Sequence, residues 1–163
     1  MAEQEFLAKG AKLKWNGIFD MTNVYKKLKS WFDSKGYDFK ETQYLERIKA
    51  NGKQLEIVWK ATKKQSDYFM YTIEVLFLVI GLNKVEVERE GKKFAMEKGE
   101  VEIQFTAYLT KDYKDKWKDS QFKKNLYERF IVKDRILGYK GDIYEDVYSL
   151  MSEAKTMLEL YNA

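Results

Sequence analysis

The sequence predicts an α+β domain, with a curved antiparallel sheet of about five or six strands packed against three helices. Three observations carry that prediction. Apolar residues recur at helical spacing over 20–35, alternate with polar residues through much of 41–109, and regain helical spacing over 120–137 and 143–161. The 163 residues contain no internal repeat or dividing linker, so they are expected to form one domain, 1–163.

Leu13, Trp15 and the neighbourhood of Ile18 suggest a first strand. Asp20 is a candidate N-cap for the first helix, whose packing stripe is Met21, Val24, Leu28, Trp31 and Phe32. Gly36 supplies its stop. Asn51-Gly52 signals a hairpin with a type I′ turn, after which Leu55, Ile57, Trp59 and Ala61 share one strand face. A third strand is expected from Tyr68 to Ile80, then a turn at Gly81-Leu82-Asn83. Val85 and Val87 precede another turn near Gly91, and Phe94 and Met96 make a short piece that ends at Lys98-Gly99. Val101, Ile103, Phe105, Ala107 and Leu109 then alternate with a polar face.

Toward the C-terminus Ser120 caps a helix whose stripe is Phe122, Leu126, Phe130 and Leu137, joined by Tyr127 and Ile131. Gly138 is its expected end. Asp142 opens the last helix, with Glu145 as capping-box partner and Ile143, Val147, Leu150, Met151, Ala154, Leu158 and Tyr161 facing inward.

Composition removes several chemistries. With no cysteine there is no disulfide, thiolate nucleophile or zinc-thiolate site, and with no histidine the usual neutral-pH proton shuttle is missing. No glycine-rich phosphate loop or dinucleotide fingerprint occurs, so no cofactor is expected. Asp112, Asp115 and Asp119 lack the calcium-loop pattern and read as a solvated helix entrance, leaving no expected metal site. A carboxylate pair needs no histidine, and Glu56, Glu74 and Glu102 are candidates, but their separation does not follow from the sequence. The expectation is a protein without catalytic residues. The longest apolar run is Val75 to Ile80, too short to span a bilayer, and the first twenty residues lack a secretory signal. A cytoplasmic location is expected.

The segment 69–80 differs from its neighbours. Phe69, Tyr71, Ile73, Val75, Phe77 and Val79 share one side, and Met70, Thr72, Glu74, Leu76, Leu78 and Ile80 the other. Large side chains on both faces call for cover on both, because burying each is worth about 1.5–3 kcal/mol. Ordinary core, an apolar ligand cavity and an oligomer interface all satisfy that demand. Met70, Thr72, Glu74, Leu76 and Leu78 are therefore the candidate ligand-binding residues, with Glu74 able to meet a polar or basic group. A dimer contact that includes Phe77 or Leu78 would favour the interface.

Net charge is +4 but unevenly placed: residues 1–35 hold seven lysines against four acids, and residues 110–135 nine basic groups against five. Within the second region, Tyr113, Lys114, Lys116, Trp117 and Lys118 combine amphipathic rings with cationic stems and form a candidate surface for an anionic membrane or nucleic acid.

The order of elements resembles a helix-grip, or START-like, domain: early strand, helix, antiparallel strands, then a C-terminal helical region. That resemblance implies a sheet curved around a long helix and an enclosed apolar ligand. It spans nearly the whole chain and rests on topology. The chain has one N-terminal helix where that family commonly has two, and two helices after the sheet. KWNGIFD, KGEVEIQFTAYL and YEDVY also look like poorly characterised archaeal proteins, which implies no activity. The leading expectation is non-enzymatic binding of a hydrophobic small molecule or lipid. The alternatives are an oligomeric structural or adaptor protein, and a protein that associates with anionic membranes or nucleic acid.

Overall fold

The computed structural model describes residues 3–114, 120–130 and 133–160. Five strands form one antiparallel sheet: β1 (Glu3–Phe19), β2 (Asp38–Lys49), β3 (Gly52–Lys64), β4 (Phe69–Arg89) and β5 (Lys92–Lys111), in the order β1-β5-β4-β3-β2. Helix α1 (Met21–Ser34) carries the chain from the β1 edge to the β2 edge, while α2 (Gln121–Phe130) and α3 (Lys133–Glu159) follow the sheet. The protein is thus α+β, with an open five-stranded sheet and three helices.

Helix α1 forms where its stripe indicates. Asp20 accepts from the Asn23 amide at 3.1 Å, and Met21, Val24, Leu28, Trp31 and Phe32 are all buried. Gly36 follows with φ of 79°, the left-handed conformation that stops a helix. The inward faces of β3, β4 and β5 meet α1 and α3 in one core, where Trp59, Phe77 and Phe105 are fully buried. Helix α3 adds Ile143, Val147, Leu150, Ala154 and Leu158, and packs on β1, β5 and α1.

Several boundaries differ from those the sequence suggests. Strand β1 is seventeen residues long and lengthens the sheet well beyond 41–109. No turn interrupts β4 at Gly81-Leu82-Asn83; a bulge between Ile80 and Asn83 absorbs one extra residue, and pairing with β5 continues on both sides, through Lys98-Gly99 as well. Gly81 supplies the bulge with φ of 64°. The β2–β3 hairpin is present, but Lys49 pairs with Gly52 and only Gly52 has positive φ, so the turn is Ala50-Asn51 and not a type I′ Asn-Gly. Gly52 serves close approach as well: a Cβ there would lie 2.7 Å from the Asn83 amide nitrogen and 2.9 Å from the Gly81 backbone.

The C-terminal helices also divide differently. Helix α3 runs unbroken through Gly138 and Gly141 to Glu159, so the expected end at 137 and restart at 143 do not occur. Ser120 does cap α2, accepting from the Lys123 amide at 3.3 Å. Yet three members of the expected stripe face outward: Phe122 is 77% exposed, and Leu126 and Leu137 are exposed too. The helix is rolled instead toward Tyr127, whose ring lies 5.3 Å from Tyr68, and toward buried Lys124, which reaches Glu3 on β1 at 3.3 Å. That contact belongs to an ionic cluster: Lys111 meets Glu3 at 3.5 Å and Glu5 at 3.1 Å, and Lys140 of α3 meets Glu5 at 2.6 Å. Ile131, Tyr161 and the side chain of Phe130 lie outside what is described.

Candidate functional site

The residues from the second face of 69–80 converge, but not in a cavity. Met70, Thr72, Glu74, Leu76 and Leu78 all lie on the sheet face opposite α1 and α3. Thr72 is buried, Met70, Glu74 and Leu78 are half-buried, and Leu76 is 37% exposed, as is Ile80. The expectation of full cover on both faces is therefore not met within one chain. Long neighbours on β3 and β5 shield the stripe only in part. Glu74 sits beside Thr106 of β5 and Lys60 of β3, and accepts from the Tyr108 hydroxyl at 3.3 Å. Two open hollows border that face, one of about 240 Å³ edged by Val58, Glu74, Leu76 and Gln104, the other of about 420 Å³ edged by Lys14, Leu78, Ile80 and Glu102.

Register also places the three candidate carboxylates. Glu56 and Glu102 flank Leu78 from the strands on either side, and Glu74 lies on the same face. Strand spacing sets the backbones of Glu56 and Glu102 about 10 Å apart. Glu56 accepts from Gln54, and Glu102 from Gln104 while pairing with Lys12 at 3.5 Å. These carboxylates rim an apolar stripe.

A different hollow lies on the helix-bearing side. Between the start of α1 and the β2–β3 hairpin is a cleft of about 360 Å³. Its apolar floor is Met21, Leu55, Ile57 and Leu82, all buried. Its polar rim is Thr22 and Tyr25 of α1, Tyr44 of β2, Lys53 of β3 and Glu97 of β5. Several contacts fix that rim. Glu97 accepts from the Met21 amide at 3.2 Å, satisfying a donor at the helix start. Glu41 accepts from the Tyr25 hydroxyl at 2.7 Å and from the Trp59 indole at 3.1 Å, and the Tyr25 and Trp59 rings meet edge to face. Burial, then Glu41, pushes the Tyr25 phenol up to about 12. Burial, then Glu46, raises Tyr44 as well. Both phenols are therefore neutral donors at ordinary pH. Lys53 is held by Glu46 at 2.8 Å.

A wider groove of about 640 Å³ beside the β4–β5 ribbon is lined by Asp20, Val87, Phe94 and Met96. It is built largely on two strands that extend past the end of β3, so it lacks the cleft's floor in the packed core. Sequence reasoning missed the cleft because its residues come from five elements. The available signal was Tyr25, an aromatic off the α1 packing stripe, together with Tyr44 on a strand that is otherwise mostly exposed.

Of the candidate anionic-partner surface, Tyr113 and Lys114 are described; Lys116, Trp117 and Lys118 lie outside the described residues. Tyr113 donates to the Ser66 carbonyl at 2.6 Å, and Lys114 pairs with Asp67 at 3.0 Å. Both side chains thus brace the β3–β4 turn. Among the described residues no cluster of acidic side chains suits a metal ion, and no helix is long and apolar enough to cross a membrane. No family model, curated protein or solved structure matches the chain, so neither resemblance noted from the sequence, to helix-grip domains or to archaeal proteins, gains support from known relatives.

Proposed function

We propose that the protein is a non-enzymatic binding protein that seats a small amphipathic molecule in the cleft between α1 and the β2–β3 hairpin. The observation that carries this reading is the cleft's division into a buried apolar floor, Leu55, Ile57 and Leu82, and a rim of fixed polar groups. Small-molecule sites commonly combine those two parts, at volumes from about 300 to 1,000 Å³. At about 360 Å³ the cleft suits a compact ring system better than a lipid with full acyl chains. Tyr25 is pre-positioned by Glu41, so binding need not order that ring. The phenols of Tyr25 and Tyr44 supply hydrogen-bonding edges, and the Glu97 carboxylate supplies an acceptor.

Native mass spectrometry of protein purified from its own cellular background tests this reading. A retained small molecule is expected, lost from Tyr44→Ala and from Thr22→Trp, which fills the mouth, and kept by Leu78→Ser on the opposite sheet face. Loss from Leu78→Ser with retention in both cleft variants would move the site to the other face. If nothing is retained, and no small amphipathic compound shifts the Leu55 or Ile57 methyl resonances, the proposal fails.

A further inference from the structure

We infer that the open sheet face is a contact surface for a second copy of this chain, packed face to face about a two-fold axis that crosses the strands near Val58 and Leu76. Val58 of β3 lies directly beside Leu76 of β4, and Leu78 and Ile80 extend the apolar stripe along β4. Exposed Leu45 of β2 stands beside Glu56 on the same face. Over 70–80, five strands present a face about 35 Å long and about 20 Å wide. That is on the order of 700 Å² per copy, close to the roughly 800 Å² per partner of a standard stable interface.

Charge selects both the second copy and its orientation. Along β3, Glu56 and Lys60 lie two residues either side of Val58, on the same face. A two-fold axis across the strands at Val58 sets Glu56 of each copy over Lys60 of the other. The same operation acts on β2, where Arg47 sits beside Gln54 and Asp38 beside Thr62, each four residues from Val58 along β3. Arg47 of one copy then lies over Asp38 of the other. An axis along β4 would instead set Glu56 against Glu102 of the second copy, like charge on like. Complementarity about the axis across the strands thus resides on β2 and β3, while Lys12 of β1, in line with Val58 and Leu76 through Gln104, meets its own counterpart at the sheet edge. Such isologous pairing of one patch is what a two-fold dimer uses, and two sheets packed this way make an ordinary aligned sandwich.

Sedimentation of the full chain tests the inference independently of any ligand in the cleft. Wild type is expected at twice the 19.5 kDa protomer mass. Glu56→Lys and Lys60→Glu should each sediment at the protomer mass at the same concentration, with unchanged circular dichroism. Mixed in equal amounts, the two variants should recover the doubled mass, because both pairs between positions 56 and 60 are then of opposite charge. A wild type that stays at protomer mass overturns the inference, whatever other partner or membrane that face binds. So does a dimer that survives both single substitutions, which would place the contact elsewhere.

Discussion

The Tyr37 hydroxyl donates a 2.8 Å hydrogen bond to the Asp146 carboxylate, joining the start of β2 to the middle of α3 across 109 residues of chain. Tyr37 is buried, and burial together with Asp146 raises its pKa, so the phenol stays protonated as the donor. A hydrogen bond to a charged acceptor contributes about 1.5–3 kcal/mol. Tyr37→Phe should lower unfolding free energy by about that amount in a urea titration. A change within error would mean that solvent replaces the bond.

Phe105 lies at the centre of β5 with no exposed surface, beside Val75 on β4. Phe105→Ala is expected to cost about 3–5 kcal/mol, combining lost transfer energy with an unfilled cavity. Equilibrium unfolding reads this directly; a loss under about 0.5 kcal/mol would mean that the surrounding core collapses into the space.

The ionic cluster at the β1 edge predicts acid sensitivity. Burial alone would raise the pKa of Glu3 and Glu5, but Lys124 acting on Glu3, Lys140 on Glu5 and Lys111 on both hold them below 4.5. A depressed folded pKa stabilises above the unfolded value and loses that contribution as pH falls through the folded one. Urea midpoints should therefore decline as pH drops below 4.5, and the double variant Glu3→Gln, Glu5→Gln should decline less steeply. Equal slopes would assign the acid response to other carboxylates.

The alkaline limb has the opposite sign. Tyr25 rises from 10.0 to about 12, so between those values the unfolded chain sheds a proton that the folded chain keeps. Its contribution is whole below pH 10 and is lost as pH climbs to about 12. Spectrophotometric titration of Tyr25→Phe should lack one phenol that ionises in that late window, and its stability should fall less over the same range.

Much of the fold was legible because local pattern and tertiary burial agree. Asp20, the α1 stripe and the alternation through Val101, Ile103 and Phe105 each need only a short stretch of chain to read. The failures arose where distant partners decide. Gly81-Leu82-Asn83 has the composition of a turn, yet pairing with β5 on both sides makes it a bulge. Gly138 and Gly141 weaken α3 by roughly 1 kcal/mol each relative to alanine, but buried residues from Ile143 onward hold the helix. Phe122 and Leu126 keep helical spacing and still face outward, because the roll of α2 follows Lys124 and Tyr127. The candidate site was less legible: the two faces of β4 could be separated by parity alone, whereas the cleft appears only once α1 is laid across the sheet.

The order β1-β5-β4-β3-β2 has a kinetic consequence. Strands β2 to β5 pair as successive hairpins, each closable as soon as its own residues exist. Strand β1 emerges first but pairs with β5, where Glu3 faces Lys111. During synthesis the first strand must wait, unpaired, for nearly the whole sheet to be made. The loop-closure cost concentrates in this single late docking step, which makes it the natural bottleneck of folding. Until it occurs, the free edge of β5 is the surface most exposed to mispairing with another nascent chain.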